Sequence, residues 1–183
     1  MANFTIADIK TLREQLGTGM VDTKKALEEA DGDLEKAVEI LRLKGAKGNA
    51  KRADRSTSEG LVTAVAHGDK VTIIELNTET DFVAKNERFI ALADKVLEAA
   101  AAVDADSVEA ALAAPAGDQT VAELISDEAA IIGEKVELRR VRTLSGDKFE
   151  IYLHKTSKDL PPQVGVVLVY TCLLYTSDAA DEE

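Results

Sequence analysis

The chain has little of what disulfide-linked, zinc-binding or membrane-spanning proteins need. It contains one cysteine and two histidines among 183 residues. An internal disulfide is therefore excluded, and a zinc site of three or four clustered ligands is disfavoured. No apolar stretch approaches the roughly 20 residues of a membrane helix, and the N-terminus lacks the basic flank and apolar run of a signal peptide. We expect a cytoplasmic protein that does not insert into membranes.

Aromatic residues are scarce and the charge balance is acidic, which together disfavour nucleic-acid binding. Aromatics make up 4% of the chain, and the formal net charge is −12. Phosphate backbones attract cations, and unpaired bases stack on aromatic rings. Residues 42–58 depart from this balance, since six basic residues and one aspartate give a local charge of +5. We interpret residues 46–58 as a basic linker with a helical start, and RNA binding by this segment is an alternative.

Signatures of phosphate binding and catalysis are missing as well. The chain has neither the GxxxxGK[ST] loop nor GxGxxG. His67 and His154 lie far apart with no ligand pattern beside them, and paired carboxylates such as Asp127 and Glu128 are typical of solvated helix faces. We expect no catalytic residue, no metal and no cofactor. A hydrolytic or redox enzyme that uses Cys172 or His154 is the enzymatic alternative.

What the sequence does contain begins with helical periodicity over residues 1–45. Thr5 and Asp8 have the spacing of a capping box. Gly17 and Gly19 then interrupt the apolar repeat, and Asp33 is placed to start a further helix that Gly45 would end. The apolar repeat of the first helix consists of Ile6, Ile9, Leu12 and Leu16. The pattern predicts three short helices around one small core.

The middle and end of the chain mix strand and helix patterns. Two β-rich runs, 61–66 and 71–76, flank a turn and predict a hairpin. Helices are predicted after residue 86 and over 121–132, and strands over 135–144, 149–153 and 163–171. Because the strands do not alternate regularly with helices, we predict an α+β fold with antiparallel sheets.

Two segments place apolar residues where they are open to contact. A glycine loop after the first helix would expose Met20 and Val21, although a packing role is an equal alternative. Phe82 follows a strand and sits beside charged residues, as a rigid binding anchor would. The alternative is that Phe82 packs the next helix onto the sheet.

These two segments resemble the bacterial elongation factor Ts family. The stretch LREQLGTGMVDTKKALEEADGDLEKAVEILRLKG is similar to the family's N-terminal module, which is itself like ubiquitin-associated domains. NTETDFVAKNERF is similar to a second family signature, and IIGEKVELRRV and VGVVLVY follow in the expected order. The resemblance covers residues 1–171. It implies a module over 1–45, a core N-terminal subdomain over 59–146 and the start of a core C-terminal subdomain over 147–171.

The resemblance implies a partner and a role for particular residues. The partner is elongation factor Tu, bound in its GDP form and its nucleotide-free form, and the function is to speed GDP release without bond-making chemistry. The aromatic of the TDFV motif would wedge between helices near the partner's Mg²⁺. By position, the contacts fall to the following residues: Lys10, Arg13, Met20, Val21, Lys24, Asp81, Phe82, Ile132, Gly133, Glu134 and His154.

The last twelve residues do not fit this resemblance. Residues 172–183, CLLYTSDAADEE, resemble a translated sequencing adapter. We therefore expect a non-native tail and a C-terminal subdomain that is cut short, which would leave the strand at 164–170 partly uncovered.

A further alternative function is that of an adaptor whose residues 1–45 bind ubiquitin-like or nascent chains. Its binding would not depend on Phe82.

Overall fold

The computed structural model describes residues 4–170, and the predicted non-native tail lies outside them. Within this range, helices and antiparallel strands mix without βαβ order, which confirms the predicted α+β class. The helices are α1 Ile6–Leu16, α2 Met20–Glu29, α3 Leu34–Arg52, α4 Asp81–Ala84, α5 Glu87–Ala102, α6 Val108–Ala113 and α7 Val121–Ile132. The strands are β1 Glu59–His67, β2 Lys70–Thr78, β3 Pro115–Ala116, β4 Gln119–Thr120, β5 Val136–Ser145, β6 Lys148–His154 and β7 Val164–Tyr170. No helix among the described residues is both long enough and apolar enough to cross a membrane.

Helices α1 to α3 form a three-helix module with a core of its own, as predicted. The Thr5 hydroxyl accepts from the Asp8 N–H, and the Asp8 carboxylate accepts from the Thr5 N–H, so the capping box starts α1. Asp33 caps α3. The module core consists of Ile9, Leu12, Ala26, Leu27, Ala30, Ala37 and Leu41. The inclusion of Ile6 in the apolar stripe is wrong, since this side chain is exposed at the first turn of α1.

The predicted end of the third helix at Gly45 is also wrong. Helix α3 continues to Arg52, so residues 46–52 of the predicted linker are helical. A glycine inside a helix costs about 1 kcal/mol relative to alanine. Here α3 packs against α7 at this point. The tertiary contact therefore overrides the local preference of glycine to end a helix.

The main core lies between a three-stranded antiparallel sheet and helices α5 to α7. The strand order is β1-β2-β5, and the β1–β2 pair is the predicted hairpin. Phe89, Leu92, Val96 and Leu97 of α5 are buried in this core, as the helical spacing predicted. Strand β2 is central, and its C-terminal end leads directly into the segment that carries Phe82.

Strands β6 and β7 form a separate two-stranded hairpin that packs against β1 and β2. The N–H of Val62 donates to the carbonyl of Pro162 at 2.8 Å and ties the hairpin to β1. Exposure alternates along both strands, so one face of the hairpin is turned toward the sheet and the other toward solvent. The outward face carries five exposed apolar or aromatic side chains, namely Tyr152, Val164, Val166, Leu168 and Tyr170.

Candidate partner-binding surface

A short glycine loop between α1 and α2 presents the first apolar pair. Gly17 ends α1 in the left-handed conformation with φ of 62°, which favours glycine. The hydroxyl of buried Thr23 donates to the Gly19 carbonyl at 2.9 Å and lies 2.7 Å from the Thr18 hydroxyl. The loop is therefore fixed from inside the module, while Met20 and Val21 point outward from the first turn of α2. Their exposed fractions are 55% and 66%, which favours the contact role over the packing role.

The predicted cations of the module surround this loop in sequence and are exposed. Lys24 lies one turn after Met20 on α2, and its Nζ is 3.7 Å from the Glu28 carboxylate. Lys10 and Arg13 lie on α1 with Ile6, at positions i, i+4 and i+7 of one helix face. Ile6 is 73% exposed. Ile6 extends this face with an apolar side chain, although the apolar repeat had placed it in the core. Its i, i+4 and i+7 spacing with Lys10 and Arg13 was the sequence feature that could have indicated its exposure.

The second predicted contact lies on the one-turn helix α4. Thr80 caps α4 through a hydrogen bond that its hydroxyl accepts from the Val83 N–H. Phe82 is 72% exposed and does not pack α5 onto the sheet, so the alternative interpretation of this residue is wrong. The Nζ of Lys85 lies 4.5 Å from the centre of the Phe82 ring and 3.6 Å from the Asp81 carboxylate. Lys85, absent from the predicted contacts, therefore holds one side of the ring through a cation–π contact.

The predicted contacts Ile132 to Glu134 lie at the end of α7. They are next to residues 79–84, which carry Phe82 and which we call the Phe82 turn. Gly133 ends the helix in the left-handed conformation, and Ile132 packs partly buried against the main core. The Glu134 carboxylate accepts hydrogen bonds from the hydroxyls of Thr78 and Thr80 and from the Thr80 N–H. The structure therefore brings Glu134 together with the Phe82 turn, and this carboxylate is already engaged within the chain.

A second carboxylate, that of Glu79, ties the start of the same turn to the residue that follows Glu134. Glu79 accepts a hydrogen bond from the Lys135 N–H at 2.7 Å, and Arg55 of the basic linker lies 3.1 Å from it. Burial alone would raise the pKa of Glu79. The hydrogen bond from Lys135 and the charge of Arg55 outweigh burial and hold this pKa below its ordinary value of 4.5. Arg55, which lies in the predicted linker, is thus held against the core by its ion pair with Glu79.

His154 is placed elsewhere. It lies at the end of β6, exposed on the outward face of the β6–β7 hairpin, and its Nδ1 is 3.0 Å from the Tyr152 hydroxyl. It shares neither a sheet nor a helix with the Phe82 turn. Its role in partner contact stays a prediction, as do the roles of the other predicted residues.

Comparison with known proteins identifies the kind of chain that carries these features. The family model described as Elongation factor TS matches residues 79–179, more than half of the chain and including the Phe82 turn and Glu134. The chain belongs to the elongation factor Ts family. Among the residues that the structure describes, no group of three or more His, Cys, Asp or Glu side chains is arranged to hold a metal ion.

Two relatives show the extent of the match. The chain is 73% identical over 171 residues to elongation factor Ts of Leifsonia xyli subsp. xyli, and the match covers 93% of this chain and 62% of that protein. It is 66% identical over 171 residues to elongation factor Ts of Clavibacter michiganensis subsp. michiganensis, with the same coverage. The chain therefore spans about three fifths of the length of these relatives.

Proposed function

We propose that this chain is the partner-binding portion of a guanine-nucleotide exchange factor that acts on elongation factor Tu during translation elongation in the cytoplasm. It would act by protein binding, with no catalytic residue. One observation carries the proposal: in a chain of the elongation factor Ts family, Phe82 is 72% exposed on a turn that Glu134, Glu79 and Lys85 hold in place. A large apolar side chain exposed on a rigid support is typical of a binding hot spot.

The thermodynamic requirement on such a factor is simple. It must bind nucleotide-free elongation factor Tu more tightly than the GDP-bound form, and reciprocity then weakens GDP by the same ratio. A tenfold ratio requires about 1.4 kcal/mol of differential binding. One buried aromatic hot spot supplies roughly 2 kcal/mol or more. Phe82 is therefore sufficient in magnitude, provided that its site opens only in the distorted partner.

The module would supply the second contact. Met20 and Val21 offer an exposed apolar pair, and Lys10 and Arg13 on α1 and Lys24 on α2 offer exposed cations in the same module. In this proposal the module docks on the nucleotide-binding domain of the partner, while Asp81 and Phe82 disturb the region that holds Mg²⁺ and the phosphates. Weakening those charge contacts releases GDP without a covalent step.

The test is the rate at which a fluorescent GDP analogue leaves elongation factor Tu in a stopped-flow instrument, with and without this chain. We expect the chain to accelerate release and Phe82→Ala to remove most of the acceleration. Val103→Ala is the matched control, since Val103 is also an exposed apolar residue but lies at the end of α5. With Val103→Ala, the GDP analogue should leave elongation factor Tu as fast as it does with the unsubstituted chain.

Thermal unfolding of the same variants separates binding from folding. Because Phe82 is exposed, Phe82→Ala should change the free energy of unfolding by no more than about 0.5 kcal/mol. A release rate that Phe82→Ala leaves unchanged would contradict the role of this ring, and no acceleration by the unsubstituted chain would contradict the proposed function.

A further inference from the structure

Helix α7 contacts the three-helix module through small residues. A methyl group added at Gly45 of α3 would lie 2.9 Å from the Cβ of Ala130 in α7, and one added at Gly17 would lie 2.7 Å from the Ile131 side chain. Real side chains do not approach this closely, so both positions bring the module against α7 only because they are glycine. The close approach also explains why α3 runs through Gly45.

Polar contacts also fix this interface between α3 and α7, which we call the seam. The Asn49 side-chain amide donates to the Ser126 carbonyl at 2.7 Å, and it lies 3.0 Å from the Ser126 hydroxyl. The Arg52 guanidinium donates to the side-chain Oδ1 of Asn49 at 2.7 Å and to the backbone carbonyl of Ala129 at 3.4 Å. Because hydrogen bonds need specific directions, they set the rotation of α3 about α7 as well as its distance.

The far end of α7 supports the Phe82 turn. Gly133 ends the helix, and the next residue, Glu134, accepts the hydrogen bonds from Thr78 and Thr80. Thr80 in turn caps the helix that carries Phe82. One helix of 12 residues therefore contacts the module through Ser126 and Ala130 and leads directly into the carboxylate that holds the turn.

We propose that α7 is a rigid strut that sets the position of the Met20–Val21 contact relative to the Phe82 contact, and that Gly45 is a positioning residue for nucleotide exchange. This inference rests on the proposed function. Two contacts held at a fixed spacing engage one partner with a smaller loss of conformational freedom than two contacts that move independently. The seam fixes the distance between the Met20–Val21 contact and the Phe82 contact, although none of its residues is among the predicted contacts.

The chain offers a matched pair of substitutions for the test. Gly45→Ala places a methyl group against Ala130. Gly48→Ala is the control, because a methyl group there would meet only the Arg52 guanidinium at 3.5 Å, an ordinary contact distance. Both substitutions lie in α3 and gain the same helix propensity. Ala130→Gly combined with Gly45→Ala returns the missing space and serves as a rescue.

The first readout needs no partner. Spin labels are attached to cysteines introduced by Glu39→Cys in α3 and Asp94→Cys in α5, both at exposed positions. The chain also carries Cys172→Ser, so that only these two cysteines react. Pulsed electron paramagnetic resonance then gives the distribution of distances between the labels. We expect one narrow distribution, unchanged by Gly48→Ala, shifted or broadened by Gly45→Ala, and restored by the rescue. A broad distribution before any substitution, or no response to Gly45→Ala, would overturn the strut.

The second readout is GDP release from elongation factor Tu. Gly45→Ala should slow stimulated release about tenfold, a small part of the 10²–10⁴-fold gain that linked contacts give, whereas Gly48→Ala should not change it. Equal rates for both variants, together with a shifted distance, would overturn the positioning role. If the unsubstituted chain releases no GDP, the proposed function fails, and the distance measurement alone still decides whether α7 fixes the module.

Discussion

The carboxylate of Glu134 accepts two hydrogen bonds from Thr80, one from the backbone N–H at 3.1 Å and one from the hydroxyl at 2.7 Å. The hydroxyl proton of Thr80 is thereby directed at Glu134, which leaves an oxygen lone pair for the Val83 N–H that it caps. A third bond comes from the hydroxyl of Thr78, which is fully buried. The conformation of the Phe82 turn thus depends on a residue 52 positions later in the sequence.

Glu134→Ala should destabilise the fold and slow exchange together. It leaves the Thr80 N–H and the buried Thr78 hydroxyl without their acceptor, which costs about 1–3 kcal/mol of the free energy of unfolding. Urea denaturation measures this loss. Glu39→Ala, at an exposed position of α3, is the control and should stay within about 0.5 kcal/mol. If the two variants unfold at the same urea concentration, the hydrogen bonds of Glu134 do not support the turn.

Local patterns were enough to predict that the module has three helices, where α1 and α3 begin, and the β1–β2 hairpin. The capping box of Thr5, the cap of Asp33 and the turn between the strands each involve residues within a few positions of one another. Their hydrogen bonds follow from sequence spacing alone. Helix α7 began and ended as predicted, because Thr120 and Gly133 mark both of its ends.

Distant contacts set the features that the sequence patterns missed. Gly45 was expected to end a helix, but Ala130, 85 residues later, uses the absent side chain for close packing. The patterns also gave no sign that the Glu134 carboxylate accepts hydrogen bonds from Thr78 and Thr80, whereas the contact role that the resemblance implies for Glu134 stays a prediction. The exposure of Phe82 was likewise ambiguous from pattern, because an aromatic at a helix start fits both a core and a surface position.

The pH dependence of stability should reveal the carboxylate of Glu79. Its pKa is lowered in the folded chain because Lys135 and Arg55 outweigh burial. Its contribution is therefore complete above the ordinary value of 4.5 and is lost as pH falls through the lower folded pKa. Glu79→Gln should lower the free energy of unfolding by about 1 kcal/mol at pH 7, since neutral hydrogen bonds replace charge-assisted ones.

Chemical denaturation from pH 7 to pH 3 measures this difference for Glu79→Gln. The difference in the free energy of unfolding between the variant and the unsubstituted chain should become smaller below pH 4.5. Glu39→Gln is the control at an exposed site, and its gap should stay near zero throughout. A gap for Glu79→Gln that does not change with pH would mean that the charge of Glu79 adds nothing to the stability of the fold.

The outward face of the β6–β7 hairpin should drive self-association of this chain. Leu168 is 58% exposed at its centre and lies directly opposite Glu150 in the strand register. Contiguous exposed apolar side chains favour burial against another molecule. Leu168→Lys removes one of them and places a cation opposite the Glu150 carboxylate, a cross-strand pair that contributes about 0.2–1 kcal/mol. The hairpin should therefore stay folded while its outward face becomes less adhesive.

Sedimentation velocity over a concentration series tests this prediction. The sedimentation coefficient of the unsubstituted chain should rise with concentration, and that of Leu168→Lys should rise much less. Leu144→Lys is the matched control, because it makes the same change of charge at another exposed leucine, on β5 rather than the hairpin. If Leu144→Lys suppresses association equally, net charge governs it. If only Leu168→Lys does, the hairpin face is the surface through which the chains meet.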